Sequence, residues 1–137
     1  MPEIYHIELL RDGVREPSTI EVAELHHDRS IRLILRANGI LEHSEESDCF
    51  AALQAMRRRL SKRGIDLHCY GSSRNVFPSA MSRDMSRGRK AYKTFIGQPG
   101  RDIVGIFDSG SDIELVSVDD QEAFHHLWFA SLGQKRT

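Results

Sequence analysis

At 137 residues the chain has the length of one domain, and dividing it would leave two undersized cores. Hydrophobic residues make up 39% and charged residues 28%, too apolar for a disordered chain, yet no apolar run nears the roughly 20 residues of a membrane span. The net charge of −1 excludes a uniformly basic or acidic protein but hides an uneven distribution: residues 1–56 carry 5 Lys/Arg against 11 Asp/Glu, residues 57–93 carry 11 against 2, and residues 94–137 carry 3 against 7.

The first 45 residues predict strands. Tyr5, Ile7 and Leu9 alternate with polar residues, the period of two that a half-buried strand requires. A polar turn, Arg11-Asp12-Gly13, precedes a second run around Ile20 and Val22. In the third, Ile31, Leu33 and Leu35 face one way, Arg32 and Arg36 the other. Asn38-Gly39 then predicts a hairpin with a type I′ turn, in which both central residues take positive φ. These runs make an antiparallel meander of three or four strands.

The period changes after residue 46. Ser47 is the expected N-cap, and Cys49, Leu53, Met56 and Leu60 recur at helical spacing until Gly64 stops the helix. A strand is expected over residues 65–70. The 20 residues of the insert, 71–90, carry no strand pattern, which is long for a compact domain unless the segment is functional or holds its own element. Pro78-Ser79 can start a short helix there and Gly88 can end it. Residues 91–96 and 103–107 read as strands around a turn at Pro99-Gly100, and Ser117 caps a final helix with Phe124, Leu127 and Trp128 as its apolar stripe.

Strands with helices on one face imply a single α+β domain over residues 1–137: an antiparallel sheet of about five to seven strands, two main helices and a short helical insert. Leu33, Leu35, Leu53, Leu60, Phe124, Leu127 and Trp128 are expected in one core.

Chemistry-bearing motifs are sparse. No dinucleotide, P-loop or nucleophile-elbow pattern occurs. His26-His27 and His125-His126 are adjacent pairs, whose side chains diverge, so their spacing asks for no metal. Cys49 and Cys69 fall on apolar faces and lack the spacing of a disulfide framework. The N-terminus, Met1-Pro2-Glu3-Ile4-Tyr5-His6, has no signal-peptide pattern, so a cytoplasmic location without catalytic residues, metal or cofactor is the expectation.

The strongest constellation is the insert with its flanks: Tyr70, Arg74, Asn75, Phe77, Arg83, Arg87, Arg89, Lys90 and Lys93. Arginine forks, small residues exposing backbone N–H groups, and flanking aromatics are what anionic or nucleic-acid ligands use. The alternative is that these cations satisfy the loop's own carbonyls and pair with the acidic strands. The acidic residues Glu42, Glu45, Glu46, Asp48, Asp108, Asp112, Glu114, Asp119 and Asp120 suit the steering of a charged protein partner.

The segments Tyr-Gly-Ser-Ser-Arg-Asn-Val-Phe-Pro-Ser-Ala-Met-Ser-Arg-Asp-Met (70–85) and Gln-Glu-Ala-Phe-His-His-Leu-Trp-Phe-Ala-Ser-Leu (121–132) resemble small uncharacterised bacterial proteins. In format the chain is similar to bacterial immunity proteins: one small charge-patterned domain without an active site. That resemblance implies a non-enzymatic protein that occludes a protein partner such as a cognate toxin. The reading from another class is a nucleic-acid- or phosphate-binding module built on the basic segment 70–93. An enzyme comes third, with Arg74, Asn75 and a histidine as its best residues.

Overall fold

The computed structural model describes residues 2–133. Four strands form the meander: β1 (Glu3–Arg11), β2 (Val14–Glu24), β3 (Ile31–Ala37) and β4 (Ile40–Glu46). With β5 (Ile65–His68) they make an antiparallel sheet in the order β4-β3-β2-β1-β5. Alternation sends Ile7, Leu9, Ile20, Val22, Ile31, Leu33, Leu35 and Leu67 to one face, where all are buried.

The turns differ from expectation in one respect. Asp12 and Gly13, at φ 53° and 83°, both take the positive φ that a type I′ hairpin needs, with Arg11 paired to Val14. In the β3–β4 hairpin only Gly39 does so, at φ 73°, so the type I′ geometry expected of Asn38-Gly39 is absent there.

Helix α1 (Cys49–Ser61) covers the apolar face with Phe50, Leu53, Met56 and Leu60, all buried. Asp48, not Ser47, caps it: the Asp48 carboxylate accepts from the Ala51 N–H at 2.8 Å.

Beyond β5 a single 3-10 turn (Tyr70–Ser72) redirects the chain, and the remaining strands form a second sheet instead of extending the first. It comprises β6 (Val76–Phe77), β7 (Lys90–Phe95) and β8 (Gln98–Gly105), all antiparallel in that order. The insert therefore contains a strand and a helix, α2 (Ala80–Met85), whose N-cap is Ser79. The β7–β8 turn falls at Gly97, φ 79°, and Pro99-Gly100 lies inside β8, a strand paired on one side only.

Helix α3 (Val118–Gly133) is capped by the Ser117 hydroxyl and packs on α1, β7 and β8. Its inward residues are Val118, Gln121 and Ser131, with His125 and Trp128 half-buried. The expected core holds for Leu33, Leu35, Leu53 and Leu60, but Phe124 and Trp128 are only half-buried and Leu127 is 65% exposed. Val76, Ala91, Ile106 and Phe107 join the large sheet and α1 in one apolar cluster.

Candidate functional site

The basic insert is fastened to the meander at the start of α1. The first N–H of the helix, on Cys49, donates to the Arg87 carbonyl at 2.8 Å. Asp48 caps the helix with one oxygen and accepts from Arg83 Nη1 at 2.9 Å with the other. Arg87 donates to Glu24 at 3.1 Å and to the carbonyls of Ser47 and Arg29. Arg89 grips Glu3 through Nε at 3.0 Å and Nη2 at 2.5 Å, and its hydrogen bonds hold the Glu3 carboxyl below the usual value. Burial, with the bond to Glu3, pushes the Tyr5 phenol up to about 12. Gly88 permits this approach: its φ is +77°, and a Cβ there would lie 2.9 Å from the Phe50 nitrogen.

A second group forms on the far side of the insert. The Tyr70 hydroxyl donates to Asp112 at 2.7 Å, and Lys93 pairs with the same carboxylate at 2.6 Å while lying over the Tyr70 ring. Arg74 faces Glu114 at 3.7 Å. Asn75 turns inward on its own loop: its carbonyl accepts from the Thr94 N–H at 2.7 Å, and its amide oxygen from the Ser73 hydroxyl at 3.2 Å.

The nine expected site residues are thus divided between separate places. Of the six cations, Arg74, Arg83, Arg87, Arg89 and Lys93 have an acidic partner within the chain, and Lys90 has none among the described residues. A cleft of about 810 Å³ between α2 and the β2–β3 loop is lined by Arg83, Arg87, Asp48 and Asp28, so much of its charge is already matched.

Phe77 belongs to a third place, where the surface is apolar and open. A groove of about 370 Å³ runs between α2, the small sheet and α3, with Phe77, Pro78, Met81, Tyr92, His125 and Trp128 on its walls. The Phe77 and His125 rings stack with centroids 3.8 Å apart, and Trp128 continues the row at 5.7 Å from His125. The rim is apolar too. Met81 is 65% exposed, and Ile103, paired with Tyr92 across the ladder, is 59% exposed. On the outer side of α3, Leu127 and Phe129 are also exposed.

Met81, Tyr92, His125 and Trp128 were not among the expected site residues. Each is ordinary in its own segment, and only the packing of α3 on the small sheet brings them together. The one sequence signal was the excess of large apolar side chains on α3 over what one buried stripe needs.

Neither thiol is poised to react: burial raises the Cys49 pKa to about 12 and moves Cys69 in the same direction. Among the described residues no three His, Cys, Asp or Glu side chains are grouped to hold a metal, and no helix is long and apolar enough to cross a membrane. No protein-family model matches the chain, and no curated protein matches it.

Proposed function

We propose that this chain is a non-enzymatic binding protein that occludes a protein partner, in the manner of an immunity protein neutralising a toxin. The supporting observation is the groove between α2, β7 and α3: its walls are aromatic, and Met81 and Ile103 stand exposed beside it. Aromatic residues and Met are enriched where proteins meet, and binding energy concentrates in a few such anchors around a dry centre. The insert's internal ion pairs weigh against the nucleic-acid reading, since an arginine already matched to a carboxylate gives less to a phosphate. Occlusion also asks for a rigid wall, which the ties at Arg83, Arg87 and Arg89 supply to α2.

The test is neutralisation. The chain is co-expressed with the protein encoded beside its own gene, and growth of the host is measured. Wild type restores growth and co-purifies with that protein at fixed stoichiometry. Met81→Asp and Trp128→Ala, checked for folding by circular dichroism, lose both. Groove variants that still neutralise, or a neighbour that neither harms the host nor binds, sink the proposal.

A further inference from the structure

Most polar groups lining the groove are already committed. The Trp128 indole N–H donates to the Gln98 carbonyl at 2.7 Å, the Thr94 hydroxyl to the Asn75 carbonyl at 3.2 Å, and the Ser79 hydroxyl caps α2. Two lining groups have no hydrogen-bond partner among the described residues: the Tyr92 hydroxyl and the His125 ring.

The two nitrogens of His125 are not equivalent. Nδ1 is buried and unpartnered, on a ring that stacks against Phe77 with Trp128 5.7 Å away. A proton placed there would be an N–H with nothing to receive it, whereas a bare lone pair costs less to enclose. A neutral ring with its proton on Nε2 avoids that enclosed N–H. Burial, with Arg83 and His126 nearby, lowers the pKa of His125 and favours the same neutral form.

The groove thus presents two donors, Nε2–H and the Tyr92 hydroxyl, and no carboxylate lines it. Lys90, unpaired among the described residues, lies on the same face of β7 as Tyr92 by the alternation of the strand. Apolar walls around a few convergent donors select an apolar body carrying an acceptor.

We propose that the groove takes a partner segment in which a large apolar side chain stands next to a carboxylate. The side chain fills the space between Phe77, Met81 and Trp128. The carboxylate accepts from His125 Nε2–H and the Tyr92 hydroxyl, with the Lys90 ammonium supplying opposite charge. This rests on the reading that the groove is where the partner docks, and it adds which part of the partner is held.

Trp128 is the only tryptophan in the chain, so its fluorescence reports the groove directly. The full chain is titrated with the blocked peptide Asp-Phe-Asp-Gly, its isostere Asn-Phe-Asn-Gly, and adenosine monophosphate. The acidic peptide is expected to shift Trp128 emission and bind about tenfold tighter than its amide counterpart, the effect of one charge-assisted hydrogen bond. His125→Phe, which keeps a ring against Phe77, should remove most of that preference, and Tyr92→Phe part of it. Equal affinity for the two peptides, an unchanged preference in His125→Phe, or tighter binding of the nucleotide overturns the inference. So does a silent Trp128 with both peptides. These results leave the protein-partner reading standing, because that reading is decided by the neutralisation and co-purification assay and not by peptide binding.

Discussion

Arg57 is 7% exposed, and none of its hydrogen-bond acceptors is a carboxylate. Its Nη1 donates to the side-chain oxygens of Gln121 at 2.6 Å and Gln54 at 2.8 Å, and its Nη2 to the Val116 carbonyl. Burial brings its pKa down to about 10, which still leaves it charged at neutral pH. Gln121 completes the hub by donating to the carbonyls of Gly71 and Val76, at 3.0 and 2.8 Å. One guanidinium thus joins α1, α3, the start of the insert and the stretch just before α3. Arg57→Ala should cost at least about 2 kcal/mol in urea unfolding, since it strands several buried acceptors. Arg57→Lys should recover little of it, because an ammonium cannot reproduce the planar fork. A loss below about 0.5 kcal/mol for the alanine variant would show that water replaces the guanidinium without penalty.

That hub also accounts for how α3 is turned. Phe124, Leu127 and Trp128 have helical spacing, but Gln121, fully buried, sets the inward face as 118, 121, 125 and 128. Hydrophobic periodicity assigns a glutamine to solvent, and it cannot register carbonyls from distant segments that need a donor. Where packing is apolar, as for Leu53 on α1 or Leu33 on β3, the pattern and the structure coincide. Leu127→Ala should therefore change stability by less than about 0.5 kcal/mol, while Leu53→Ala costs at least about 2 kcal/mol, both read from denaturant midpoints. Comparable losses would mean that α3 buries its outer face in solution. The insert was partly legible: a short helix begins at Ser79 as expected, but of the cations at residues 83–93 only Lys90 is exposed, the others being half-buried in ion pairs. Its acidic partners Glu3, Glu24 and Asp48 lie 35 or more residues earlier, a distance at which sequence pattern carries no pairing information. The groove was not legible, because its walls come from three elements whose contact depends on that packing.

Across the whole molecule the acidic–basic–acidic distribution becomes internal neutralisation. The basic insert lies against the acidic meander through Arg83–Asp48, Arg87–Glu24 and Arg89–Glu3, and Lys93–Asp112 ties it to the acidic C-terminal third. Exposed pairs contribute up to about 1 kcal/mol each, more when bidentate and partly buried as at Arg89. Replacing Arg83, Arg87, Arg89 and Lys90 together by Ala should lower stability by about 1–3 kcal/mol in low salt and by less at 1 M salt, measured by urea unfolding at both ionic strengths. Duplex DNA should bind wild type and variant equally poorly at physiological salt. Unchanged stability with a large fall in DNA affinity would return the insert to the role of a nucleic-acid surface.

The tie between Arg89 and Glu3 spans 86 residues, and that span has a consequence during synthesis. The meander closes through hairpins of neighbouring strands, so β1 to β4 can pair as they leave the ribosome. Glu3 waits roughly 4 to 17 s for Arg89 to be added, at about 5–20 residues per second. In the earlier part of that interval, until α1 and β5 are made, the edge of β1 that β5 will cover and the apolar face that α1 will cover are both bare. The nascent sheet is thus open longest along the strand that carries Glu3, and the insert arrives as the last brace on a sheet already built.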